Sequence, residues 1–160
     1  MGTTAEIWLP ATTAAAKSKV SVPQQVETKL AAMTLLVVDD DVLVLNNTVA
    51  MLEEAGHHVL AAESGEAALA LFETNPQIDL VITDHAMPHM TGAQLIQMLK
   101  TRAPQLPMII ATGYAELPES IANSVLKLAK PFNEAQLVAV MSKAIDRERL
   151  PASVVPFRKP

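Results

Sequence analysis

A parallel β-sheet covered by helices on both faces is the fold this sequence predicts, and three observations predict it. From Met33 onward, short apolar runs of strand length alternate with segments whose apolar residues recur at helical spacing. The apolar runs are nearly continuous rather than alternating, the pattern of strands buried on both sides. Several of them also stop abruptly at a polar residue, which is where such sheets place their sites. The composition agrees. Half of the 160 residues are hydrophobic, enough for one sizeable core, and they are Val, Leu, Ile, Ala and Met rather than aromatics.

The elements follow in order. "TLLVVDD" gives a first strand, followed by a helix with Val42, Leu45, Val49 and Leu52 on one face and Gly56 as its stop. "HHVLAA" is a short second strand. Ser64 caps a helix carrying Ala67, Ala68, Leu71 and Phe72, which ends near Asn75-Pro76. "IDLVITD" is a third strand, and Thr91-Gly92 opens a helix through Leu95, Ile96 and Leu99 that closes before Pro104. "PMIIAT" is the fourth strand. "ELPESIANS" has room for one or two helical turns or an irregular loop. "SVLKLAKPF" holds the fifth strand. Asn133 and Gln136 then form a capping pair for a last helix through Leu137, Val140, Met141 and Ala144.

Residues 1–32 differ from this pattern. "ATTAAAKSKVSVPQQVETK" has the composition of a linker, preceded by "GTTAEIWLP", a strand-like piece with the only Trp. The reading is therefore an N-terminal extension over 1–32, a domain over 33–150 and a frayed tail over 151–160. A net charge of −5 argues against a general nucleic-acid surface. The absence of cysteine removes disulfides, thiolate metal sites and thiol nucleophiles. No apolar run approaches the roughly 18 residues of a membrane span, and the N-terminus lacks a secretory pattern, so a cytoplasmic protein is expected.

The strand ends carry complementary chemistry. The first gives Asp39 and Asp40, the third Asp84, the fourth Thr112 and the fifth Lys130. Carboxylates from neighbouring strands make a hard-oxygen pocket suited to Mg²⁺, which binds a few carboxylates and keeps waters. An ammonium and a hydroxyl beside a carboxylate nucleophile complete the parts that stabilise a phosphoryl group in transfer. Asp41 opens the first helix, where a carboxylate serves as a cap and complements the helix dipole.

"LLVVDDD", "DLVITDHAMPHMTG", "IIATGY" and "LAKPF", in that order over residues 33–147, resemble the receiver domains of bacterial two-component response regulators. The resemblance implies a doubly wound, flavodoxin-like α/β fold with five parallel strands in the order 2-1-3-4-5. It implies that Asp39 and Asp40 bind Mg²⁺ with Asp84 and the Ala86 carbonyl, and that Asp84 accepts a phosphoryl group from a phosphohistidine. It also implies that Thr112 and Lys130 contact that group, that Lys130-Pro131 is cis, and that the partner is a histidine kinase or histidine phosphotransfer domain. Residues two past the acceptor and two past the Thr commonly flank the hydrolytic water in this family. Here they are Ala86 and Tyr114, which points to slow self-dephosphorylation. "GTTAEIWLP" resembles the last strand of a sensor kinase's ATP-binding domain. The chain is thereby read as the C-terminal end of a hybrid histidine kinase, whose parent can be membrane-anchored, with no direct contact to membrane or nucleic acid.

Some positions depart from the family pattern. Lys127 stands where many receivers place an aromatic switch residue, which puts the usual output coupling in doubt. His85 and His89 flank a Pro in a loop and are read as a solvent-facing pair rather than a metal site. His57 and His58 are read as a turn between helix and strand. Two rivals stay open. A Mg²⁺-dependent phosphohydrolase also uses an Asp nucleophile, but the haloacid-dehalogenase type sets its two acids as Asp-x-Asp on one loop. A pseudo-receiver that only binds proteins would not need the full acid, hydroxyl and lysine set.

Overall fold

Five strands pair in parallel in the order β2-β1-β3-β4-β5 in the computed structural model, which describes residues 30–113, 118–122 and 124–149. They are β1 (Thr34–Val38), β2 (His58–Ala62), β3 (Leu80–Asp84), β4 (Met108–Thr112) and β5 (Leu126–Ala129). The helices are α1 (Val42–Glu54), α2 (Gly65–Thr74), α3 (Gly92–Arg102), α4 (Glu119–Ala122) and α5 (Glu134–Arg149). This is the expected doubly wound topology. The expected N-terminal strand and linker, Tyr114 and the tail from Leu150 lie outside the described residues.

Strand parity divides the core. Leu36, Val38, Val81, Met108 and Ile110 pack with Ala68, Ala93, Ile96 and Leu99 of α2 and α3. Leu35, Val37, Leu80, Ile82, Ile109 and Leu128 point the other way, against Leu45, Leu52, Leu137 and Met141 of α1 and α5. Successive side chains leave opposite faces of a strand, so an unbroken apolar run is what two covered faces require. The expectation of burial on both sides holds for β1, β3 and β4 but not for the sheet edges. β2 and β5 are mixtures of buried, partly buried and exposed residues, since each has a neighbour on one side only.

The helix ends follow local chemistry. Asp41 accepts from the N–H groups of Leu43 and Val44 at 2.9 and 3.3 Å, so it caps α1. Gly56, at φ 91°, ends α1 by donating to Glu53 O while His57 donates back to Leu52 O, the paired bonds of a Schellman stop. Ser64 caps α2 through Ala67 N at 3.1 Å. Thr91 with Gln94 and Asn133 with Gln136 close reciprocal capping boxes at α3 and α5. α4 is one turn long in the described residues, as the short "ELPESIANS" segment predicts.

The histidines refine one expectation and correct another. His57 lies between α1 and β2 as expected, but it is 7% exposed, and its Nδ1 is buried with no hydrogen-bond partner. Burial pushes its pKa below the ordinary histidine value. His85 is only partly exposed, with a buried, unpartnered Nδ1, so it does not form a simple solvent-facing pair with His89. His89 is exposed and holds φ 62°, a left-handed conformation that costs a non-glycine residue about 1 kcal/mol.

Candidate functional site

The polar strand ends gather at one edge of the sheet because parity and register agree. Asp39 continues the alternation of Leu35 and Val37, Asp84 that of Leu80 and Ile82, and Lys130 that of Leu126 and Leu128. All three therefore leave the sheet toward the α1 and α5 side. β1 and β3 are direct neighbours, with Val38 opposite Thr83, so the next residues, Asp39 and Asp84, come out side by side. β4 separates β3 from β5. At the level of Asp84 it presents Ala111, whose small side chain leaves a path for a long residue crossing from β5.

Lys130 takes that path. Its Nζ lies 2.7 Å from Asp39 Oδ2 and 2.5 Å from Asp84 Oδ1. The two carboxylates are 6% and 7% exposed, and a pair of buried like charges is tolerable only with a cation between them. Each acid also accepts a backbone N–H: Asp41 N donates to Asp39 Oδ1 at 3.0 Å, and Ala86 N donates to Asp84 Oδ2 at 2.6 Å. Burial pulls the Lys130 pKa down, but hydrogen bonds and charge from Asp39 and Asp84 outweigh it and hold the ammonium above the ordinary lysine value. Lys130-Pro131 is cis, as expected. Thr112, 8% exposed, ends β4, and its carbonyl accepts from Lys130 N at 2.9 Å.

Of the expected residues, Asp39, Asp84 and Lys130 form one connected network, with the Ala86 backbone touching it through its N–H. Asp40 is exposed beside them. Among the described residues, no three acidic or imidazole groups close into a cage for a metal ion. The donor set nevertheless fits a hydrated dication. Asp39, Asp40 and Asp84 against Lys130 leave two negative charges uncompensated on hard oxygen ligands, and Mg²⁺ keeps several waters instead of demanding an all-protein cage.

Two contributors escaped the sequence reading. Thr83 is fully buried, and its hydroxyl donates to the Asp84 carbonyl at 3.0 Å. Gly92 opens α3 and closes the "DLVITDHAMPHMTG" motif, but its contact with Asp84 is not visible in the sequence. A Cβ there would fall 2.0 Å from Asp84 O, so only glycine lets the start of α3 pack this closely against the end of β3. The Thr-Gly pair after Met90 was the available signal for that approach.

The family model described as the response regulator receiver domain matches residues 35–154. The chain belongs to that family. This receiver is 33% identical over 120 residues to the response regulator protein FleR of Pseudomonas aeruginosa, covering 71% of this chain and 24% of FleR. It is 30% identical over 122 residues to the sensor kinase CckA of Brucella abortus, covering 72% of this chain and 13% of CckA. The chain thus spans about a quarter or less of the length of these relatives. Among solved structures, a response regulator receiver domain protein from Clostridium thermocellum matches with a TM-score of 0.68 at 32% identity, covering 73% of this receiver and 97% of that chain. The chemotaxis protein CheY4 of Vibrio cholerae matches with a TM-score of 0.64 at 26% identity, covering 71% and 99%. No described helix of this receiver is long and apolar enough to cross a membrane.

Proposed function

We propose that this receiver takes a phosphoryl group from a phosphohistidine onto Asp84 in a Mg²⁺-dependent step, as part of a two-component relay. The observation that carries the reading is Lys130 seated between two buried carboxylates from adjacent strands. An ammonium so placed neutralises the nucleophile's surroundings and engages only one of its two oxygens, Oδ1.

An oxygen of Asp84 attacks phosphorus as the P–N bond to the donor imidazole breaks, and the imidazole nitrogen keeps the bonding pair and takes up a proton. Ala86 N–H and Lys130 hold the two carboxylate oxygens and fix the angle of attack. Thr112, at the end of β4, donates its hydroxyl to a phosphoryl oxygen, and Lys130 follows the charge that develops. Asp39, Asp40, Asp84 and the Ala86 carbonyl are the ligands for Mg²⁺, which when bound supplies charge neutralisation at the phosphoryl oxygens.

A protein donor has somewhere to land. Val42 and Leu43, 45% and 80% exposed, open α1 just after the cap Asp41, next to the acidic pair. They offer an apolar rim for the helix that carries the phosphohistidine. The donor is a histidine kinase or histidine phosphotransfer domain, and the acidic net charge supports no direct role on nucleic acid. The parent is a hybrid histidine kinase working in the cytoplasm. That placement rests on the N-terminal "GTTAEIWLP" stretch and on the similarity to a protein named as a sensor kinase.

Incubating the protein with Mg²⁺ and acetyl phosphate, then measuring intact mass, tests the reading. One phosphoryl group should be gained, Asp84→Asn should abolish the gain, and Asp40→Asn should weaken Mg²⁺ binding. Equal labelling of the Asp84→Asn variant would overturn the assignment.

A further inference from the structure

The geometry points to Thr83 as a positioning residue that, through the backbone carbonyl of Asp84, aims the Asp84 carboxylate at Lys130 and Ala86. This rests on the reading of Asp84 as the acceptor and names what orients it.

Thr83 lies on the opposite face of β3 from the carboxylate. By parity it shares the face of Val81, where Val38 and Ile110 are its strand neighbours and α3 covers the sheet. A hydroxyl on such an apolar face is costly unless it is bonded. It donates to the carbonyl of the very next residue, at 3.0 Å. That carbonyl is also crowded by Gly92, where an added Cβ would sit 2.0 Å from the oxygen and 3.1 Å from Thr83 Oγ1. Gly92 N is tied to the following carbonyl, His85 O, at 3.1 Å.

The Asp84 carbonyl is therefore bonded to a hydroxyl and packed closely against the first turn of α3. This peptide is where the chain stops being a strand and turns toward α3. A rotation of the Asp84–His85 peptide about its flanking dihedrals would displace Ala86 N relative to the carboxylate, to which it donates at 2.6 Å. An isosteric apolar residue at position 83 would fill the same space without holding the carbonyl. A threonine that served packing alone would be replaceable by valine without consequence for the site.

The test compares the wild type, Thr83→Val and Thr83→Ser, with Thr83→Ala as the deletion should the valine variant fail to fold. Three quantities are measured: the rate constant for phosphorylation by acetyl phosphate at saturating Mg²⁺, the amide proton shift of Ala86, and the urea midpoint. Losing the hydroxyl should slow phosphorylation about tenfold and move the Ala86 amide upfield as its bond to Asp84 loosens, whereas Ser should keep both near wild type. A valine variant with the wild-type rate and an unmoved Ala86 resonance would overturn the proposal. So would equal damage in Val and Ser, which would trace the effect to packing. If the wild type takes up no phosphoryl group, the acceptor reading fails, and the Ala86 resonance still decides whether Thr83 holds the carboxylate.

Discussion

Replacing Lys130 by methionine keeps most of the side-chain length and removes the charge between Asp39 and Asp84. In the wild type both carboxylates are nearly buried and share one ammonium at 2.7 and 2.5 Å. Breaking a buried pair by deleting one partner costs roughly 3–5 kcal/mol. The lower end applies here, because Asp39 keeps the N–H of Asp41 and Asp84 keeps that of Ala86. A loss of about 3 kcal/mol is a large share of the 5–15 kcal/mol typical of a domain. Urea unfolding followed by circular dichroism at pH 7.5, with or without Mg²⁺, measures it. The loss should shrink when Mg²⁺ is added, because the ion binds the folded state. Adding Asp84→Asn to Lys130→Met should recover part of the stability, since one of the two uncompensated charges is gone. A Lys130→Met protein as stable as wild type at pH 7.5, or a loss that Mg²⁺ leaves unchanged, would refute the electrostatic account.

Three further outcomes are expected. His57 is held neutral by burial, so the unfolded chain binds its proton more readily; stability is fully present above pH 6.5 and falls below it, by at most about 1.4 kcal/mol per pH unit. His57→Gln should flatten the urea midpoint between pH 7 and 5, and an unchanged slope would place the titrating group elsewhere. Leu43→Asp should slow phosphoryl transfer from a phosphohistidine protein by about tenfold and leave the acetyl phosphate rate unaltered; equal effects on both donors would remove the apolar rim as a docking surface. Ala86→Asn should speed the decay of phospho-Asp84, followed by intact mass, because an amide can hold the attacking water that a methyl group cannot; an unchanged half-life would separate Ala86 from water access.

The strands that build the site were legible because each ends where its apolar run meets a polar residue, as at Val38–Asp39 and Thr112. The caps were legible too, since Asp41, Ser64 and Asn133 act on N–H groups two or three residues away and leave a short-range signature. The alternation of residues 35, 37 and 39, of 80, 82 and 84, and of 126, 128 and 130 also lay in the sequence. Strand order did not; it came from resemblance, because nothing local states which strands are neighbours. The unequal fates of Asp39 and Asp40 lie at the strand's end: Asp39 continues the alternation of β1 and is buried, while Asp40, one residue further past the strand, is exposed. The burial of His57 depended on where the Schellman turn at Gly56 delivers the chain, and the role of Thr83 on how closely α3 approaches β3. Both are tertiary facts that composition and period do not encode.

Lys130 meets Asp39 across a separation of 91 positions in the chain, from the far edge strand of the sheet to an inner one. Until β5 has docked, the acidic end of β1 and β3 has no resident cation. A chain still emerging from the ribosome, or one whose β5 has come loose, carries Asp84 without the ammonium that neutralises its surroundings. Under the proposed transfer to Asp84, competence to take up a phosphoryl group would report on finished folding.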